Sequence, residues 1–225
     1  MARDGREAAY RELIRRYERP IFALLFRMVR DRELAEPQAA GIHVEPVPTL
    51  GHRGRGWTTH CEVTYTDVRV PAENLLGERG TGFLIAQKRL GPGRIHHGMR
   101  WLGQMQRAFE LMCTRALERE AFGSRLADKQ TVQNWIADSA ADIQACRLMT
   151  LDAARKIDEG SEARVEISLI KFWGATALHN VIDRAIQVHG GAGVTKGVKV
   201  EELYREIRAL RIYEGASEVQ RTIIG

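Results

Sequence analysis

Three stretches of the chain combine residue types that could do chemistry. Near the C-terminus, Tyr213-Glu214-Gly215 puts a single carboxylate on a glycine turn. Read alone, the tripeptide is equally an ordinary surface turn. Upstream lies Gln187-Val188-His189-Gly190-Gly191-Ala192-Gly193, whose bare backbone permits a close, flat approach by another group, or simply caps a helix. In Arg119-Glu120-Ala121-Phe122-Gly123, followed by Leu126 and Gln130, a planar and permanently charged guanidinium suits a diphosphate. A helix-ending arginine with an aromatic plug has the same pattern. His96 and His97 are adjacent, so on a helix they point about 100° apart and cannot form the i, i+4 pair a metal ion needs. Cys61, Cys113 and Cys146 form no C-x-x-C pair. No metal site is expected.

The elements that must position these groups follow from periodicity. Helical spacing predicts helices over 81–119, 127–158, 163–189 and 216–225, with a shorter basic one near 200–209. Glu159-Gly160-Ser161 reads as a helix stop and restart. Long helices with short connections predict antiparallel neighbours, hence a four-helix bundle from residue 80 to 225. Residues 38–79 have a different character. Val44, Val47, Val63, Tyr65, Val68 and Val70 sit in short β-type stretches punctuated by Gly51, Gly54, Gly56 and Pro71, which predicts three or four short antiparallel strands. Residues 1–37 carry Tyr10, Leu13, Ile14, Tyr17, Ile21, Leu24, Leu25 and Met28 at helical spacing, with Pro37 ending the pattern.

Composition excludes several classes. Of 225 residues, 44% are hydrophobic and 28% charged, as in a globular protein with a real core. The net charge of +5, from 34 basic and 29 acidic residues, is spread along the chain and leaves no nucleic-acid footprint. The longest apolar run, Ile21 to Phe26, is too short to span a bilayer. The N-terminal arginines alternate with acidic residues, so no targeting peptide is expected and the cytoplasm is the expected location. Three scattered cysteines agree with a reducing compartment.

Taken in order, the motifs resemble the active-site end of acyl-CoA dehydrogenases. Val68 to Glu78 followed by Gly80-Thr81-Gly82-Phe83 resembles the join between the middle β-domain and the C-terminal bundle of that family. Leu90-Gly91-Pro92-Gly93-Arg94-Ile95-His96-His97 resembles a subgroup of it. The resemblance implies a mainly α fold with a small β segment, a partial antiparallel β-domain followed by the family's four-helix bundle. It implies FAD as cofactor and an acyl-CoA thioester as substrate. Glu214 aligns with the family's base, which removes the α-proton while the β-hydride leaves to the flavin. Burial is expected to raise its pKa toward the working pH. Hydrogen bonds to the thioester carbonyl would stabilise the enolate. Gly91, Arg94 and Gly215 are implied on the acyl-CoA side. Arg119, Phe122 and Gln130, with Gln187, Gly190 and Gly191, are implied as flavin contacts that cross subunits. Ala216, Ser217 and Glu218 follow the base at the cofactor. Family members often carry threonine where Ala216 stands, a departure that weakens one contact.

The resemblance covers roughly residues 39–225 and implies that the family's N-terminal helical domain and half of its β-domain are missing. A truncated enzyme of reduced activity is therefore expected, working as a homodimer or homotetramer with electron-transfer flavoprotein or another acceptor. Residues 1–36 resemble the first helices of region 2 of extracytoplasmic-function sigma factors, without the helix that reads DNA. Two other readings stand beside the enzyme: a non-catalytic, oligomerising bundle, and a transcription-related module.

Overall fold

The computed structural model describes residues 41–47, 49 and 60–225. The helical leader expected over 1–37, and with it the sigma-factor resemblance, lies outside the described residues. Two compact units divide the chain, with the last boundary between Leu75 and Leu76.

Strands β1 (Ile42–Val47) and β2 (His60–Tyr65) pair in a two-stranded sheet. Beside their ends, Thr66 N–H donates to the Gly41 carbonyl at 2.8 Å. Of the three or four strands expected over this region, two are described. Val68 and Val70 are not in a strand. Pro71, which has no N–H to give a ladder, follows them and opens a single 3-10 turn over Ala72–Asn74.

The bundle begins with α1 (Gly82–Glu118), 37 residues and so about 55 Å long. Its apolar stripe, Trp101, Met105, Ala108, Met112 and Ala116, recurs every three or four residues and is buried. Pro92 removes one backbone bond of this helix without ending it. A two-residue hairpin, β3 (Glu120–Ala121) and β4 (Ser124–Arg125), then reverses the chain. Helix α2 (Gln130–Asp158) returns along α1. Its C-terminus is a complete glycine cap: Gly160, at φ +87°, donates to Ile157 O at 3.0 Å, and Ser161 N–H reaches Lys156 O at 2.9 Å.

The helix expected over 163–189 is one helical path in three parts. It runs as α3 (Arg164–Leu169), a π-helical turn over Ile170–Gly174, and α4 (Ala175–His189). Helix α5 (Lys199–Ile207) closes the bundle against α4 and α1, and α6 (Ser217–Ile224) packs on α3 and the π turn. The core lies between α1, α2, α4 and α5, with Leu178, Val181, Ile182 and Ala185 of α4 wholly enclosed. Each fully buried leucine, valine or methionine there contributes roughly 1.5–3 kcal/mol. Small residues set the helix spacing: a Cβ on Gly98 of α1 would meet Ile170 of the π turn at 2.7 Å. That close approach brings the π turn against the face of α1 that carries Arg94, His97 and Trp101.

Candidate active site

Glu214 sits in a turn built from both ends. A 3-10 turn over Arg208–Arg211 delivers Ile212 and Tyr213, and α6 starts three residues after Glu214. Glu214 and Gly215 both have left-handed backbones, at φ +56° and +92°. For a glutamate this conformation is unfavourable by about 1–2 kcal/mol, so surrounding contacts must hold it. They do. Arg94 Nε donates to the Glu214 carbonyl at 3.0 Å across 120 residues of sequence. A Cβ on Gly215 would collide with the Gln220 amide and come within 3.3 Å of the Arg94 guanidinium. Glycine at 215 is therefore demanded by backbone and packing alike.

The Glu214 carboxylate faces three basic groups of α1. His97 Nε2 lies 3.1 Å from Oε2 and Arg89 Nη1 lies 3.7 Å from Oε1. The side chains of His97 and Glu214 are each 16% exposed, whereas Arg89 is half exposed. His97 Nε2 and Glu214 Oε2 are in ion-pair contact, and His97 Nδ1 is buried without a hydrogen-bond partner among the described residues. Burial pushes the Glu214 carboxyl upward. The His97 contact and the charges of His97, Arg89 and Arg94 outweigh it, and the group ends below the ordinary carboxylate range. The upward shift expected from burial alone is thus reversed, because the carboxylate lies against a basic face of α1. Arg94 is itself pushed below its usual value by burial, against the pull of Glu214.

Beneath this cluster lies Lys171, on the π turn and 0% exposed. Its Nζ donates to the Leu210 carbonyl at 2.5 Å and lies 5.7 Å from the Trp101 ring centre and 5.9 Å from that of Tyr213. Burial lowers its pKa to about 8, while the Glu214 charge draws it up and Arg94 draws it down. Tyr213, half-buried, accepts from Arg100 Nη2 at 3.4 Å. Ser217 and Gln220 complete the floor. Both are buried, and Ser217 Oγ and Gln220 Oε1 have no hydrogen-bond partner. Ala216 is the N-cap residue of α6, and Glu218 in its first turn is exposed.

The remaining expected residues lie at the other end of the bundle. Arg119 caps α1, and 25 residues along one helix separate it from Arg94, about 37 Å. Phe122 and Gly123 form the tip of the β3–β4 hairpin with φ of +55° and +79°, the conformation a tight two-residue turn requires. The Phe122 ring is 99% exposed. Gln130 opens α2. Gln187 lines an open cleft with Trp135 of α2 and Asn180, Asp183 and Arg184 of α4. Gly190, at φ +61° and ψ −137°, ends α4 in a conformation open to glycine alone. Gly191 has no positive φ, and a Cβ there would meet nothing within 4 Å among the described residues. The structure therefore gathers Gly91, Arg94, Glu214, Gly215, Ala216, Ser217 and Glu218 at one end. It places Arg119, Phe122, Gln130, Gln187, Gly190 and Gly191 at the other.

His97, Arg89 and Lys171 were not among the residues expected at the site. Lys171 had a signal: it interrupts the apolar run Ile167-Ser168-Leu169-Ile170-Lys171-Phe172-Trp173, where a lone charge must either snorkel out or find a buried acceptor. His97 had a weaker one, since it lies three residues from Arg94 and four from Trp101 and so shares their helix face.

Among the described residues, no group of three or more His, Cys, Asp or Glu side chains could hold a metal ion, and no helix is long and apolar enough to cross a membrane. Residues 80–225 match the family described as acyl-CoA dehydrogenase, C-terminal domain. Acyl-CoA dehydrogenase family member 11 of Rattus norvegicus is 45% identical over 183 residues, 80% of this chain and 24% of that protein. "Probable acyl-CoA dehydrogenase FadE2" of Mycobacterium tuberculosis is 49% identical over 178 residues, 78% of this chain and 43% of the relative. Butyryl-CoA dehydrogenase of Megasphaera elsdenii superposes with a TM-score of 0.75 at 32% identity, covering 82% of this chain and 48% of that one. The chain spans less than half the length of these three proteins. With the match running through the whole bundle, Glu214 turn included, the chain belongs to the acyl-CoA dehydrogenase family.

Proposed function

We propose that the chain works as an FAD-dependent acyl-CoA dehydrogenase in which Glu214 removes the α-proton of an acyl-CoA thioester. The observation that carries this reading is the Glu214 carboxylate, held on a strained Glu-Gly turn and enclosed against the basic face of α1. A carboxylate kept ionised by Arg89, Arg94 and His97 is ready to take a proton. Arg94 holds the backbone of the base, and Gly91 lies on the same stretch of α1, on the side proposed for acyl-CoA.

The residues present fit a flavin. Ser217 offers a buried hydroxyl beside the base that has no hydrogen-bond partner among the described residues, and Gly191 leaves space that none of them fills. Bound FAD would supply the acceptor for the β-hydride. Ala216, Ser217 and Glu218 would meet it at the base end. Arg119, Phe122 and Gln130, with Gln187, Gly190 and Gly191, would hold a cofactor at the opposite end. Because about 37 Å of α1 separates the two sets, they serve different cofactor positions. A homodimer or homotetramer, in which one copy completes the site of another, would accommodate that separation. Electron-transfer flavoprotein or a similar acceptor would reoxidise the flavin. A cytoplasmic location belongs to the same reading, in keeping with the free thiols of Cys113 and Cys146.

The test is a gel-filtered chain loaded with FAD and mixed anaerobically with acyl-CoA. Flavin that co-elutes and loses its visible band on mixing supports the reading. A colourless protein peak overturns it in favour of a non-catalytic, oligomerising bundle.

A further inference from the structure

We propose that His97 is the positioning residue for the Glu214 carboxylate, holding one carboxylate oxygen from α1 while Arg94 holds the same residue's backbone. The inference rests on the reading of Glu214 as the base.

Three groups could fix the Glu214 side chain. Arg94 spends its Nε on the Glu214 carbonyl. Arg89 is half exposed and 3.7 Å away, and an exposed ion pair of that kind is worth at most about 1 kcal/mol. His97 differs from both. It is the shortest contact to the carboxylate, at 3.1 Å, and it is as enclosed as the carboxylate itself. Its ring is held on two sides, stacked on Trp101 at 6.2 Å between centres and tilted against Tyr213 at 5.9 Å. Trp101 is 1% exposed and belongs to the core, so the imidazole is anchored to the most rigid part of the bundle.

The other charged or titratable groups around the turn do not duplicate this role. Lys171, from the π turn, is engaged with the Leu210 carbonyl. Tyr213 is engaged with Arg100. Removing the His97 nitrogen has two opposed effects. Glu214 becomes a stronger base, since His97 is the largest influence drawing its pKa down. It also loses its fixed orientation, and a misplacement of about 1 Å costs on the order of 10²-fold in rate. The geometric effect is the larger.

The experiment compares the FAD-loaded chain with His97→Phe and His97→Gln, mixed anaerobically with butyryl-CoA and, if that is inert, palmitoyl-CoA. His97→Phe keeps a ring between Trp101 and Tyr213 and removes the nitrogen. Flavin reduction should fall by roughly ten- to a hundred-fold, with acyl-CoA affinity unchanged and the acid limb of the rate profile moved to higher pH. His97→Gln, whose amide can donate to Oε2, should recover most of the rate. A His97→Phe rate at or above wild type overturns the proposal, as does an unmoved acid limb or a His97→Gln no better than His97→Phe. If no acyl-CoA bleaches the wild type, the functional reading fails separately. The carbon-13 titration of the Glu214 carboxyl, assigned with Glu214→Gln, then decides on His97. An upward midpoint in His97→Phe supports its hold on the carboxylate, and an unmoved one overturns it.

Discussion

The two ends of the bundle solve opposite problems. At the Glu214 end, three features are held by another part of the same chain. A strained turn is held by Arg94, a carboxylate meets His97, and a lysine is buried against Leu210. At the Arg119 end, the notable residues touch little of their own chain. Phe122 stands in solvent, Gly191 faces empty space, and Gln187 lines an open cleft. The contrast teaches that the chain holds Glu214 through its own contacts and leaves the residues at its other end open among the described residues. Mutations should therefore act through stability and chemistry at one end, and through binding at the other.

The largest expected effect tests the closed end directly. Glu214→Gln should lower the rate of flavin reduction by about 10²–10⁴-fold, measured by anaerobic stopped flow, with FAD retention unchanged. Activity retained at wild-type level would remove Glu214 from the mechanism and dissolve the contrast.

Next comes Lys171. Its folded pKa is about 8 against an ordinary 10.5, so between those values the unfolded chain holds a proton that the folded chain has released. Stability should then rise with pH across this window. Below about pH 8 the folded protein bears the full cost of the buried charge. The total gain is on the order of 3 kcal/mol. Urea unfolding of wild type and Lys171→Met from pH 7 to 10.5 should show this slope in wild type only. Equal slopes would mean the lysine is not desolvated.

A matched pair of glycines sharpens the comparison. Gly215→Ala places a Cβ at φ +92° against Gln220 and should destabilise by at least about 2 kcal/mol, read as a lower urea midpoint. Gly191→Ala meets no atom within 4 Å among the described residues, so its stability should stay within about 0.5 kcal/mol of wild type. Its affinity for FAD should nevertheless fall, as equilibrium dialysis would show. The smallest effect on stability belongs to Phe122→Ala, within about 0.5 kcal/mol because the ring is fully exposed. Its effect should appear in the association of copies, seen by sedimentation.

Much of the frame was legible because it is local. The expected helix over 81–119 is found at Gly82–Glu118, that over 127–158 at Gln130–Asp158, and the Glu159-Gly160-Ser161 stop is a complete cap. Periodicity and glycine chemistry act within a few residues, so they can be read without a fold. Val68 and Val70 were over-read as strand, because valine alternation does not reveal whether a neighbouring strand exists to pair with. What sets the electrostatics of the base was not legible. Arg94 meets Glu214 across 120 residues and Lys171 meets Leu210 across 39. Such contacts depend on helix packing, and burial alone predicted the wrong sign for the Glu214 pKa. The π turn was hidden for the same reason: nothing in Ile170–Gly174 marks i→i+5 bonding until α1 presses on it at Gly98.

That π turn also sets the phase between the two ends. A residue added to or taken from a helix rotates everything beyond it by about 100°. Arg164–Leu169 lies before the turn and Ala175–His189 after it, so the five residues between them act as a phase shifter within one rod. Deleting a single residue there would leave the composition almost untouched and still swing Gln187 by more than a quarter turn relative to Ile167. The separation between the Glu214 end and the Gln187 end is thus an angle as well as a length.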